Sequence, residues 1–161
     1  MTWRKRPRRT VDDTPPGVAA SPTALYAGIM TERIASCRCG QLTATCTGEP
    51  VRVSVCHCLN CKKRSGSAFA AHARWPHERL ILSGEFSEWA DVGESGNLCT
   101  FRFCPKCGGT VVFINEGMPD LTAVPIGTFA EPGFPPPSYS VYEERKHGWV
   151  TITGEGIEHF G

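Results

Sequence analysis

The sequence predicts a mainly β domain, a sheet sandwich or half-barrel with few short helices, and three observations carry that expectation. Short alternating or β-branched runs bounded by Gly and Pro recur along residues 31–161. Sustained helical periodicity is missing. Seven of the nine cysteines stand in three tight clusters, each in a segment that has to turn rather than extend.

In chain order, strands are expected over 41–47, 51–55, 68–75, 80–82, 98–103, 110–114, 121–126 and 149–152. One short helix is expected over 60–65, with Gly66 suited to the left-handed position that ends it. Alternation places Leu42, Ala44 and Cys46 on one strand face and Cys99, Phe101 and Phe103 on another, so Cys46 and Cys99 read as small buried hydrophobes. A redox role for either remains the alternative.

The first thirty residues differ from the rest. Trp3-Arg4-Lys5-Arg6-Pro7-Arg8-Arg9 and then Pro15-Pro16-Gly17 read as a disordered basic, proline-rich tail over 1–30, followed by one domain over 31–161. No apolar segment follows the basic start, so neither a signal peptide nor a membrane span is expected. Removing the five basic and two acidic residues of the tail from totals of 17 and 16 leaves 12 and 14, a formal net of −2 for the domain. Nucleic acid is therefore not an expected partner, except through the tail.

The organising stretch is Cys56-His57-Cys58-Leu59-Asn60-Cys61. Three sulfurs so close together make a poor disulfide knot but a good soft-metal clamp, and thiolates choose zinc. A structural zinc takes four protein ligands, whereas a reactive one keeps a position free, so three cysteines read as an open site. Cys37-Arg38-Cys39 and Cys104-Pro105-Lys106-Cys107 each supply two sulfurs from a turn, and together they would close a tetrahedron. Gly40 and Gly108-Gly109 let backbone amides curl around sulfur there. A rival grouping joins Cys58 and Cys61 to Cys104 and Cys107 as a zinc ribbon, stranding the other three. Disulfides are a third possibility, less suited to a chain with no sign of export.

With these clusters placed, residues 33–161 resemble the glutathione-dependent formaldehyde-activating enzyme family, which also contains centromere protein V-like members. The matching motifs are Ser36-Cys37-Arg38-Cys39-Gly40, Cys56-His57-Cys58 with Cys61-Lys62-Lys63 and Gly66-Ser67, Gly84-Glu85, Arg102-Phe103-Cys104-Pro105-Lys106-Cys107-Gly108, Pro119-Asp120, Gly127-Thr128 and Trp149. The resemblance implies an Mss4-like fold and two zinc ions per chain: a structural one on Cys37, Cys39, Cys104 and Cys107, and a catalytic one on Cys56, Cys58 and Cys61. It further implies a carbon-sulfur lyase that condenses glutathione with formaldehyde to S-hydroxymethylglutathione.

The residues suit that chemistry without spelling out the substrate. Three thiolates leave a zinc centre at −1, which favours holding a fourth sulfur as a reactive thiolate beside an aldehyde. The resemblance implies a small glutathione-like thiol and a small aldehyde as partners. Lys62, Lys63 and Arg64 are either clasps for carboxylates or a solvated helix face. His57 is expected beside the metal or exposed rather than bound to it. His72 and His147 either line a pocket or face water, and Tyr139, Tyr142 and Trp149 form either a pocket wall or a plain core edge.

Two other functions stay open. Arg102-Phe103-Cys104 is similar to the reactive-cysteine neighbourhood of type B methionine sulfoxide reductases, although Cys104 here opens a metal knuckle. The other is a non-catalytic zinc module that binds a macromolecule. Unpaired thiols and the missing export signal predict a cytoplasmic protein.

Overall fold

The computed structural model describes residues 31–161. The tail expected over 1–30 lies outside the described residues. The strands are β1 (Glu32–Ser36), β2 (Thr43–Thr47), β3 (Arg52–Cys56), β4 (Ala70–Pro76), β5 (Leu80–Ser83), β6 (Ser87–Val92), β7 (Leu98–Phe103), β8 (Thr110–Asn115), β9 (Leu121–Pro125), β10 (Tyr139–Val141) and β11 (Glu158–His159). Among the described residues the one α-helix, α1, is Leu59–Ser65, and Gly66 ends it at φ 64°.

Two open sheets form, with strand orders β1-β2-β5 and β11-β10-β3-β4-β9-β8-β7-β6. Among the described residues only β10 makes parallel pairs, with β3 and with β11. The sheets enclose one core. Ala35, Leu42, Ala44 and Cys46 come from the small-sheet side, and Val53, Ala73, Trp75, Val111, Val112 and Val124 from the large sheet. Trp75 is fully buried, and its indole Nε1 donates to Gly48 O at 2.9 Å, so its polar atom is satisfied inside the core.

That packing leaves the large sheet with a second face. Register sets Arg52 opposite Arg74, Ser54 opposite His72 and Cys56 opposite Ala70. Phe113 lies opposite Ala123 and Phe101 opposite Phe113, which extends the same face outward to Trp89.

Seven of the eight expected strands are present with ends shifted by at most two residues, and 98–103 coincides with β7. The strand expected over 149–152 is absent. There Val150 N–H donates to His147 O at 2.9 Å, so the chain turns instead of pairing, and only Val150 reaches the interior. Strands β1, β6, β10 and β11 were not expected, because β1 and β6 are polar edges and the last two span three residues or fewer. Cys46 and Cys99 are buried, as the alternation predicts.

Candidate metal centres and the sheet face beside them

The connection from β1 to β2 carries Cys37 and Cys39, and the connection from β7 to β8 carries Cys104 and Cys107. Their four sulfurs lie within 4.8 Å of one another, with 3.6 Å between Cys37 and Cys39 and 3.7 Å between Cys39 and Cys104. Both connections are tight turns. Gly40 N–H donates to Cys37 O at 2.9 Å, and Gly108 N–H to Cys104 O at 2.8 Å with Gly108 at φ 74°. Leu42 N–H donates to Cys37 Sγ at 3.3 Å, and Gln41 Nε2 donates to Cys104 Sγ at 3.4 Å. Burial raises the Cys37 thiol, but the Leu42 amide and the neighbouring sulfurs outweigh it and bring it to about 6.

The second cluster forms where β3 runs into α1. Cys56 is the last residue of β3, Cys58 is the N-cap of α1, and Cys61 lies in the first turn. These three sulfurs also lie within 4.8 Å of one another. Cys61 N–H donates to Cys58 Sγ at 3.3 Å. The Cys56 and Cys61 thiols, then the Cys61 and Asn60 amides, hold Cys58 far below the ordinary thiol range, so this sulfur takes the negative charge first.

Among the described residues no imidazole or carboxylate joins either cluster. His57 is fully buried rather than exposed, with Nε2 3.3 Å from Ser140 Oγ and an edge contact to Phe69. Ser140 Oγ donates to Glu143 Oε1, so it accepts from His57, which fixes the imidazole proton on Nε2. His57 Nδ1 is buried without a partner. Burial holds His57 below the usual imidazole range.

Helix α1 is clasped from outside the cluster. Asn60 N–H donates to Glu94 Oε1 at 3.1 Å, Glu94 pairs with Arg145, and Lys62 Nζ donates to Arg145 O. Lys62 is thus a structural strut, and Lys63 is exposed. Arg64 does not lie on a solvated face. Its guanidinium sits 4.7 Å from the Phe101 ring, 5.3 Å from Phe103 and 5.5 Å from Trp89, and Nη2 donates to Thr110 Oγ1 at 2.7 Å.

The aromatic row continues from Phe101 to Phe113 at 5.2 Å and on to His72 at 4.8 Å. His72 is buried, and that burial, then the nearby Arg74 charge, pushes it down to about 3, so it stays neutral. Tyr139 lies under Arg52 at 4.1 Å. Trp149 stacks on His147 and is 76% exposed, so neither closes a pocket wall. Two clefts, of about 690 Å³ beside β1 and about 310 Å³ around His77 and Arg102, contain none of the seven cysteines.

Sequence reading found the sulfurs but not Ser54, Arg74 and the Glu94 clasp. A signal for Arg74 existed: Arg74 follows His72 at alternate positions in an otherwise apolar strand.

The family model described as "Glutathione-dependent formaldehyde-activating enzyme" matches residues 32–145. No curated protein matches the chain. Among solved structures, a Rhodobacter sphaeroides protein is similar, at 19% identity and TM-score 0.49, covering 64% of this chain and 91% of that one.

Proposed function

Because the chain belongs to the glutathione-dependent formaldehyde-activating enzyme family and has its Mss4-like, mainly β architecture, we propose that it is a zinc-dependent carbon-sulfur lyase. In this reading it condenses a thiol, glutathione in the family, with formaldehyde or a related small aldehyde. The observation that carries the reading is the inequality of the two clusters: four sulfurs converge in one and three in the other.

The donor chemistry fits zinc in both places, since all seven ligands are thiols and none is tied in a disulfide. Cys37, Cys39, Cys104 and Cys107 would hold a structural ion, and Cys56, Cys58 and Cys61 a catalytic one. A zinc ion on three thiolates would supply a thiophilic Lewis acid with one coordination position left for substrate. The chain's own part is positional. The β3 terminus and the α1 N-cap fix the three sulfurs, and the Cys61 amide steadies Cys58. In the net reaction the thiol sulfur bonds to the aldehyde carbon and the thiol proton ends on the aldehyde oxygen, so no oxidant or reductant is needed.

Burial of Cys104 beside three other sulfurs argues against a sulfoxide-reductase nucleophile there, because a closed thiolate set is a poor redox centre. No helix among the described residues is long and apolar enough to cross a membrane. Nine cysteines without disulfides fit a cytoplasmic setting for residues 31–161 as the catalytic domain.

Exchange NMR on equilibrating formaldehyde and glutathione tests the reading. Accelerated exchange with the zinc-loaded protein, lost in Cys56→Ala, is expected. Unchanged exchange in the two-metal protein would remove glutathione as substrate.

A further inference from the structure

Arg74 is a buried cation with no counter-carboxylate. It is 8% exposed, its Nη1 donates to Ser54 Oγ at 3.0 Å, and no Asp or Glu among the described residues pairs with it. A second cation stands directly opposite: Arg52 is the cross-strand partner of Arg74, and its buried Nε has no hydrogen-bond acceptor. Like charges facing each other across paired strands destabilise a sheet, and an uncompensated charge out of water is costly. Keeping both cations here makes physical sense if an anion joins them.

The neighbouring cysteines compensate only part of this charge. Burial and then the facing Arg52 charge lower the Arg74 pKa, while the Cys56 and Cys61 sulfurs work the other way. Zinc on three thiolates carries about one negative charge. Arg52, Arg64 and Arg74 lie on this same face, none of them in an ion pair among the described residues. Positive charge is left over after the metal centre is balanced.

Resting on the reading that a thiol docks at Cys56, Cys58 and Cys61, we propose that Arg74, with Arg52 across the strand pair, binds a carboxylate of that thiol and selects anionic thiols over neutral ones. The Cys56/Ala70 and Arg52/Arg74 pairs are four residues apart along β3, about 13 Å of extended chain. Arginine side chains span part of that distance, which suits a thiol whose carboxylate is several bonds from its sulfur. Ser54 and His72, the pair between them, lie along the path, and neutral His72 adds no competing charge. A guanidinium receives a carboxylate through two parallel N–H bonds, which gives orientation as well as affinity.

Calorimetric titration of the zinc-loaded full chain with glutathione and with its diethyl ester reads the preference directly. The ester is expected to bind about ten- to a hundredfold more weakly. Arg74→Gln should weaken glutathione by a similar factor, leave the ester unchanged and retain both metals, whereas Arg74→Lys should keep part of the preference. Arg52→Gln should move the ratio in the same direction by less, and it decides the matter if Arg74→Gln does not fold. S-methylglutathione, whose sulfur is blocked, separates this inference from the proposed reaction. Arg74-dependent binding of that probe by a protein that fails to accelerate condensation would leave the anion subsite standing and remove the lyase reading. Equal binding of acid and ester by both free and S-methylated probes, or equal losses for acid and ester in Arg74→Gln, would overturn it and leave Arg74 as a charge balance for the thiolates.

Discussion

At the scale of single residues, Cys56 tests the division of labour between the clusters. Under the proposed reading Cys56→Ala would remove one of three ligands, so metal analysis is expected to fall from two zinc ions per chain to one, with turnover reduced by at least about a hundredfold. Retention of two ions would mean that other side chains complete the site. Glu143 gives a separate, pH-dependent signature. Its carboxylate accepts from Ser140 Oγ, then from His159 Nδ1 and Lys146 Nζ, and these hold it at about 2, below its ordinary 4.5. Because the folded value is depressed, the stabilisation is complete above pH 4.5 and is lost as pH falls toward 2. Glu143→Gln is expected to cost about 1 to 2 kcal/mol near pH 6, and the gap to the parent protein should narrow as pH falls below 4.5 and close only below about pH 2 in urea titrations. Acid release of metal affects both proteins and cancels in the difference. A gap that stays constant with pH would show that Glu143 is not held by these partners.

Elements matter where a turn positions ligands. The turn after β5 brings Gly84 and Glu85 against Gln41, whose amide bridges Glu85 and Cys104 Sγ. Gly84 sits at φ 103°, and a methyl there would lie 2.1 Å from Gln41 O, inside any tolerable contact. Gly84→Ala is therefore expected to destabilise the domain by about 3 kcal/mol or more and to weaken the four-sulfur site. Calorimetric melting with metal analysis checks both effects, and a variant that melts like the parent would show that the turn relaxes freely. The Gly84-Glu85 motif was visible in the sequence, but its contact with Gln41 was not, because the two are 44 residues apart for the Glu85 hydrogen bond. The same limit separates what was legible from what was not. Alternation located β2, which buries one face, and short β-branched or apolar runs located β3 and β4, which bury both, while cysteine spacing located the cysteine turns because sulfur must converge locally. Strand β6 escaped because it is an exposed edge, and 149–152 misled because its apolar residues face different surroundings: Trp149 outward, Val150 inward. Arg64 read as surface because only cross-strand register brings Phe101 and Trp89 beneath it.

For the whole molecule, the four-sulfur cluster is a joint between the sheets. Cys37 and Cys39 leave β1 in the three-stranded sheet, and Cys104 and Cys107 leave β7 in the eight-stranded sheet, with Cys39 and Cys104 65 positions apart in the chain. In the proposed reading an ion holding both turns would close that long loop, which removes freedom mainly from the unfolded chain, by about 4 kcal/mol in the analogous disulfide case. The three-sulfur cluster joins only β3 to the start of α1, six residues of one continuous segment, so it constrains far less. Stepwise chelation of the protein should therefore act unevenly. Removing the ion from Cys56, Cys58 and Cys61, the site with fewer protein ligands, should come first, abolish turnover and lower the melting temperature by only a few degrees. Removing the ion from Cys37, Cys39, Cys104 and Cys107 should follow and lower it by roughly 10 °C or more, with zinc restoring both properties. Melting curves recorded against metal content decide this: if the first equivalent lost carries the larger drop, the sealing role belongs to the three-sulfur cluster, and the assignment of structural and catalytic ions has to be exchanged.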